Sequence, residues 1–89
     1  MRLDKFLKLS RVVKRRTMAK DVCDEGRAEV NGRPAKAGTE LKVGDLVHLD
    51  FGTRILAFRV LRLAETVRAT DAKTLYEITE DRRVDVQLP

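Results

Sequence analysis

The chain has 89 residues, a formal net charge of +5 and an apolar content of 43%. This length predicts a single domain, and this composition favours a globular fold over a disordered chain. Cys23 is the only cysteine, which excludes an intrachain disulfide and favours a reducing, cytoplasmic setting. No apolar stretch approaches the ~20 residues of a membrane-spanning helix, and the charged N-terminal segment does not resemble a signal peptide.

The first predicted element is a short amphipathic helix near the start of the chain. Leu3, Phe6 and Leu7 recur at the i, i+3, i+4 spacing of one buried helix face. Asp4 lies in the first turn, where a negative charge suits the helix dipole. Residues 10–14 are predicted to form the turn to the next helix, with two valines available for the core.

A second helix is predicted over residues 16–25. Its apolar positions at helical spacing are Met18, Ala19, Val22 and Cys23. Gly26 is expected to end this helix in the left-handed conformation. Cys23 is therefore predicted to be a small core residue rather than a nucleophile.

After Gly26 the sequence period changes to two, which predicts strands. Residues 27–30 alternate and are followed by Asn31-Gly32, the strongest short hairpin signal. Pro34 then predicts a return strand that is short or lies at a sheet edge.

The remaining strands are predicted from alternation between two further turn signals, Gly44-Asp45 and Gly52-Thr53. The expected segments are a strand at 47–51, a long strand at 55–63, a polar loop at 64–73, a last strand at 74–79 and a tail at 81–89. The sequence thus predicts an α+β fold, in which two N-terminal helices pack on a small, mainly antiparallel sheet of about five strands. We expect one domain over residues 1–80, with its central motif at about 2–50.

Positive charge is concentrated at the N-terminal end of the chain. The first 20 residues hold eight basic residues and one acid, a formal charge of +7, while the other 69 residues have a formal charge of −2. Such a local concentration is typical of a phosphate-binding surface, although a solvated helix face is the alternative. The predicted RNA-binding residues are Arg2, Lys5, Lys8, Arg11, Lys14, Arg15, Arg16 and Lys20. This hypothesis requires that nearby carboxylates do not neutralise them.

The residues offer little material for catalysis. One histidine, His48, and one cysteine cannot build an ordinary zinc site, and no glycine-rich nucleotide loop is present. His48 alternates with apolar residues and is predicted to be a surface or rim residue. We therefore expect a protein that is not an enzyme and has no cofactor and no metal. Two alternatives remain, a protein-interaction module and an accessory domain of an RNA-modifying enzyme.

The run Arg2-Leu3-Asp4-Lys5-Phe6-Leu7, with Val30-Asn31-Gly32 and Val43-Gly44-Asp45, resembles the RNA-binding domain named after small-subunit ribosomal protein S4. The resemblance covers about residues 2–50. In length, and in the segments RLDKFLK and KRRTMAK, the chain is similar to the RqcP family of bacterial ribosome-associated quality control. Enterobacterial heat-shock proteins of the same type are more distant. Many of these domains have a capping serine where this chain has Arg15, which adds a cation.

This resemblance implies a two-helix motif, the alpha-L motif, whose basic face docks on structured RNA. It implies binding to stalled large ribosomal subunits that carry peptidyl-tRNA, with contacts to rRNA and tRNA. It also implies support for alanine tailing by the elongating factor RqcH, itself a possible partner, by a monomer that has no membrane association. Arg2 and Arg16 match the RNA-contacting arginines of the family. An assembly or heat-shock-type factor of the large subunit remains the alternative.

Overall fold

The computed structural model describes residues 1–13 and 21–83 of the chain. Helix α1 spans Leu3–Leu9 and buries Leu3, Phe6 and Leu7, which confirms the predicted amphipathic stripe. Residues 21–24 are also helical, with Val22 and Cys23 buried as predicted. Residues 16–20 of the second predicted helix, which include Met18 and Ala19, lie outside the described residues.

The turn after α1 is held by a buried serine. The Ser10 hydroxyl donates to the Phe6 carbonyl oxygen at 2.6 Å, and the Ser10 side chain is 1% exposed. Val13 is buried and Val12 packs against the core, as the sequence predicts for this turn. The turn therefore connects α1 to the core through a polar anchor and two apolar side chains.

Five antiparallel strands form one sheet in the order β2-β1-β3-β4-β5. The strands are β1 Ala28–Val30, β2 Arg33–Ala35, β3 Leu46–Asp50, β4 Arg54–Val60 and β5 Tyr76–Arg83. A 3-10 helix over Ala69–Leu75 precedes β5. This arrangement of helices and one antiparallel sheet confirms the predicted α+β class.

The hairpin between β1 and β2 has the predicted turn. Asn31 and Gly32 have φ values of 54° and 80°, the left-handed pair that a type I′ turn requires. The Asn31 side chain also donates to Asp45 Oδ1 at 3.1 Å and accepts from the Leu46 backbone N–H at 3.0 Å. Pro34 lies in β2, a three-residue edge strand, as predicted. The Asn31 side chain therefore also connects this turn to the start of β3 by hydrogen bonds.

Helix α1 packs on one face of the sheet. The rings of Phe6 and Phe58 stack with centroids 5.8 Å apart, and Tyr76 meets Phe58 edge-on at 5.7 Å. Val47 and Leu49 from β3 are completely buried in the same core. The alternate residues of β3 and β4 point to the opposite face, which we call the outer face of the sheet. The core therefore lies between α1 and the inner face of the sheet.

Several predicted boundaries of the C-terminal half are wrong. Strand β4 ends at Val60 rather than at 63, because the Leu61 N–H turns away to donate to the Leu75 carbonyl oxygen at 2.8 Å. The predicted loop at 64–73 contains most of the 3-10 helix, which buries Ala72 and Leu75.

Strand β5 begins later than predicted and continues further. It runs to Arg83, so residues 81–83, which the sequence predicts to be part of the tail, pair with β4. The backbone ladder with β4 extends this far, since Arg83 pairs with Arg54, the first residue of β4. Within this ladder the Arg54 guanidinium also contacts the Asp81 carboxylate at 2.8 and 2.7 Å. Residues 84–89 lie outside the described part of the chain.

Candidate nucleic-acid interface

The exposed side of α1 carries a row of cations. Arg2, Lys5, Lys8 and Arg11 are all exposed and follow one another every three residues. Residues three apart on a helix are surface neighbours, about 4.5 Å apart along the axis. We call these four residues the α1 basic row. Within the row, Lys5 and Lys8 lie on the helix face opposite the buried stripe, whereas Arg2 is the N-cap and Arg11 follows the end of the helix.

The backbone at the start of α1 is already occupied within the protein. The Leu3 N–H donates to the Thr39 carbonyl oxygen at 2.8 Å, and the Asp4 N–H donates to the Ala37 carbonyl oxygen at 3.1 Å. The Lys5 N–H donates to Asp4 Oδ1 at 2.8 Å. Because these amides have partners, a phosphate at this surface must be held by the side chains of the basic row.

Two members of the row are paired with carboxylates. The Arg2 guanidinium lies 3.3 Å from Asp4 Oδ1, and the Lys5 ammonium lies 2.9 Å from Glu65 Oε2. The hydrogen bond from Lys5, with its charge, lowers the pKa of the Glu65 carboxyl. For Arg2 and Lys5 the requirement of unpaired cations therefore fails in the free protein. The Glu65 contact joins residues 60 positions apart, so no local sequence signal could have revealed it.

Lys8 and Arg11 form no ion pair with any residue of 1–13 or 21–83. Arg11 follows the helix with a φ of 57°, in the left-handed region that side chains other than glycine and asparagine rarely adopt. Its N–H donates to the Lys8 carbonyl oxygen at 3.3 Å. The sequence predicted a turn here but gave no sign of this backbone conformation.

The end of the second helical segment lies close to the first turn of α1. Gly26 has a φ of 72°, and the Arg27 N–H donates to the Val22 carbonyl oxygen at 3.0 Å, a helix end of the predicted kind. Burial, followed by the charges of Asp4 and Asp24, raises the pKa of the Cys23 thiol to about 11. The thiol is thus a protonated core group, as the sequence predicted.

Four of the predicted RNA-binding residues, Lys14, Arg15, Arg16 and Lys20, lie outside the described residues. His48 is 40% exposed at the side chain, and its Nε2 lies 3.9 Å from Glu80 Oε1 on the outer face. This position agrees with the predicted rim residue.

Comparison with known proteins places these features in a family. Residues 1–47 match the S4 domain. Over 84 residues the chain is 50% identical to the RQC P-site tRNA stabilizing factor of Halalkalibacterium halodurans, covering 94% of this chain and 96% of that protein. The chain belongs to this S4-domain family of RQC P-site tRNA stabilizing factors.

A second member of the family, from Streptococcus pneumoniae, is 49% identical over 96% of this chain and 97% of its own length. The fold is also close to that of Vibrio cholerae Heat Shock Protein 15, solved as a trimer. The TM-score is 0.77 at 29% identity, over 89% of this chain and 81% of that one. The family match spans α1 and the first hairpin, whereas the similarity to the stabilizing factors extends through β4 and β5. Within residues 1–13 and 21–83, no helix is long and apolar enough to cross a membrane.

Proposed function

We propose that this protein is a non-enzymatic RNA-binding factor of the cytoplasm that binds stalled large ribosomal subunits and stabilises their P-site peptidyl-tRNA. The observation that carries the proposal is the 50% identity, over nearly the full length of both chains, to a protein named for that role. In this proposal the protein contacts rRNA and tRNA and supports RqcH-dependent alanine tailing. We further propose that it acts as a monomer, for which the molecular mass measured in solution should equal that of one chain, 10.1 kDa.

The α1 basic row supports this proposal by its position and composition. Lys8 and Arg11 project cations into solvent without an ion-pair partner in the described part of the chain. The carboxylates at Arg2 and Lys5 are themselves exposed, and exposed ion pairs contribute little to stability. An RNA phosphate can therefore replace Asp4 or Glu65 at small cost, and a guanidinium can then bind the phosphate in bidentate fashion.

Recognition is expected to depend on RNA shape and backbone charge. The chain has only four aromatic residues, and Phe6 and Phe58 are buried in the core, which leaves little for base stacking. Structured RNA is mostly read through its grooves and phosphates rather than through base edges. We propose that Lys14, Arg15, Arg16 and Lys20 extend the same surface from the second helix.

Arginine substitutions with a matched control test this assignment. Arg2→Ala and Arg16→Ala should each weaken binding to large subunits carrying peptidyl-tRNA by roughly tenfold, because each removes a charge-assisted phosphate contact. Arg59→Ala removes an exposed arginine from the outer face and should leave binding unchanged. Sedimentation at fixed salt measures binding, and melting temperatures should stay within a few degrees.

Two results of this experiment would contradict the proposal. Unaltered binding by the Arg2→Ala/Arg16→Ala double variant would indicate a protein-interaction module instead. A loss caused by Arg59→Ala would place the ribosome contact on the outer face of the sheet.

The likeness to Heat Shock Protein 15 supports a second candidate, a heat-shock-type binder of large subunits. The two candidates differ in the state of the subunit that is bound. Affinity purification of this protein from its own cells should recover peptidyl-tRNA and RqcH with the large subunit. Recovery of large subunits lacking both would favour the heat-shock-type function.

A further inference from the structure

Residues 61–75 form a closed loop that carries its own cations, and we call it the basic loop. Its ends are joined by the hydrogen bond from the Leu61 N–H to the Leu75 carbonyl oxygen, at 2.8 Å. Ala72 and Leu75 are buried, and Leu63, Ala64 and Val67 pack against the core. A loop closed at its ends and anchored by its own apolar side chains holds a defined shape, and such loops often have functions.

The basic loop surrounds a shallow, open hollow of about 440 Å³. The hollow is lined by Arg62, Ala64, Thr66, Val67, Arg68 and Asp71. The lining thus includes two arginines and one threonine, which carry hydrogen-bond donors, and one acid, Asp71. This set of donors favours an anion that is compact enough to avoid Asp71, such as one backbone phosphate.

Arg62 is oriented by a neutral partner. Thr74 Oγ1 accepts from Arg62 Nη2 at 2.9 Å and from Nε at 3.3 Å, and it donates to the Asp71 carbonyl oxygen at 2.6 Å. Arg54 provides the contrast, since Asp81 holds both of its donors and compensates its charge. The Arg62 side chain is thus held in place by a hydroxyl group that does not compensate its positive charge. Neither Arg62 nor Arg68 forms an ion pair within the part of the chain described.

The hollow lies beside the α1 basic row. Glu65, which pairs with Lys5 at 2.9 Å, is flanked in the chain by Ala64 and Thr66, two residues of the hollow. The same ion pair therefore places the basic loop against the exposed face of α1. Lys5, through Glu65, is thus the point at which the α1 basic row meets the basic loop.

We propose that the basic loop is a second phosphate-binding surface, in which Arg62 and Arg68 hold the backbone of the same RNA that the α1 basic row contacts. This inference rests on the proposed function and extends it beyond residues 1–47, the part matched by the S4 domain. Continuity with the basic row favours RNA over an acidic protein segment. Lys73, exposed on the same loop, adds long-range attraction.

The first test compares two double substitutions that remove the same charge. Arg62→Gln/Arg68→Gln should weaken binding to large subunits carrying peptidyl-tRNA by roughly tenfold and reduce the slope of log K against log salt by about 2. Arg59→Gln/Arg82→Gln removes two exposed arginines from the outer face and should change neither quantity appreciably. Arg62→Lys/Arg68→Lys, which keeps both charges, should retain most of the salt slope.

The outcomes separate this inference from the proposed function. If Arg2→Ala weakens binding but Arg62→Gln/Arg68→Gln does not, the basic loop is no RNA contact and the proposed function stands. If the unaltered protein does not bind large subunits at all, the proposed function fails and this inference falls with it. If the Arg62→Gln/Arg68→Gln variant has a clearly lower melting temperature, binding by the single variant Arg68→Gln is the test instead. The Arg68 side chain makes no hydrogen bond in the described structure, so this substitution should not affect folding.

A photo-crosslinking residue in place of Thr66 identifies what occupies the hollow. On large subunits carrying peptidyl-tRNA, it should form crosslinks to RNA, and digestion by ribonuclease should remove the attached mass. Crosslinks to a ribosomal protein alone would overturn the assignment and point to an acidic protein segment. The same crosslinker in place of Glu77, on the outer face, is the control and should yield no RNA adduct.

Discussion

Arg11 combines backbone strain with an exposed charge. A left-handed conformation costs a residue of this kind roughly 1–2 kcal/mol, whereas asparagine and glycine adopt it readily. The Arg11 side chain is exposed and forms no ion pair with the described residues that would offset this cost within the free protein. A cation placed at a strained position next to Lys8 is consistent with a role in ligand contact.

Arg11→Asn should separate stability from binding. The substitution relieves the backbone strain and removes the charge, so we expect an unfolding free energy that is unchanged or higher by up to about 1 kcal/mol. Binding to large subunits should nevertheless weaken several-fold. Urea unfolding and sedimentation measure the two quantities, and Arg11→Lys, which keeps the strain and the charge, should bind nearly as well as the original. A stabilised Arg11→Asn protein with full affinity would remove Arg11 from the interface.

Cys23 should be unreactive in the folded protein. Its side chain is 1% exposed, and burial, with Asp4 and Asp24, raises the pKa of the thiol from 9.0 to about 11. The thiolate is the reactive form, so a disulfide reagent at pH 8 should label Cys23 slowly until denaturant unfolds the chain. Fast labelling of the folded protein would show that the thiol is accessible.

The same shift predicts a pH dependence of stability. The unfolded thiol loses its proton near pH 9 and the folded one near pH 11, so unfolding releases a proton in that window. The contribution of the buried, protonated Cys23 thiol to the free energy of unfolding is complete below pH 9 and decreases as the pH rises toward 11. The difference in unfolding free energy between the original protein and Cys23→Ala should therefore narrow across this range, and a constant difference would contradict it.

At the scale of elements, Glu65 connects the basic loop to α1 and reduces the charge of the basic row. Glu65→Gln should free Lys5, strengthen binding to large subunits about twofold to fivefold and increase the salt slope, because one negative charge leaves the interface. The melting temperature should change little, since the pair is exposed. Glu77→Gln removes an exposed acid on the outer face and is the matched control. Weaker binding by Glu65→Gln would mean that Glu65 orients Lys5 rather than screens it.

Elements defined by neighbouring residues could be predicted from the sequence, and those defined by distant contacts could not. The stripe of α1 and the Asn31-Gly32 turn are local, since spacing and backbone preference specify them. The end of β4 depends on a hydrogen bond from Leu61 to Leu75, and the length of β5 depends on its backbone pairing with β4, which extends to Arg54 and Arg83. The basic row was predicted for the same local reason, whereas its pairing with Glu65 was not.

For the whole molecule, the uneven charge predicts salt-sensitive binding. The +7 of the first 20 residues lies on a chain whose remainder has a formal charge of −2, so attraction to RNA is concentrated in one segment of the chain. If ~4–6 phosphates are neutralised, log K for large subunits should fall by roughly 3–5 per tenfold increase in salt. Titrations between 50 and 500 mM salt measure this slope, and a flat response would contradict a phosphate-based interface.

The stacking of Phe6 on Phe58 has a consequence for how this domain can be used as a building block. The ring from α1 belongs to the matched S4 segment, whereas the ring beneath it comes from β4, beyond that segment. A fragment ending at residue 50 would keep α1 but lose Phe58, the residue on which Phe6 of α1 packs. Transplanting the RNA-binding activity into another scaffold therefore requires the later hairpin as well, and α1 without it would not hold its cations in a fixed row.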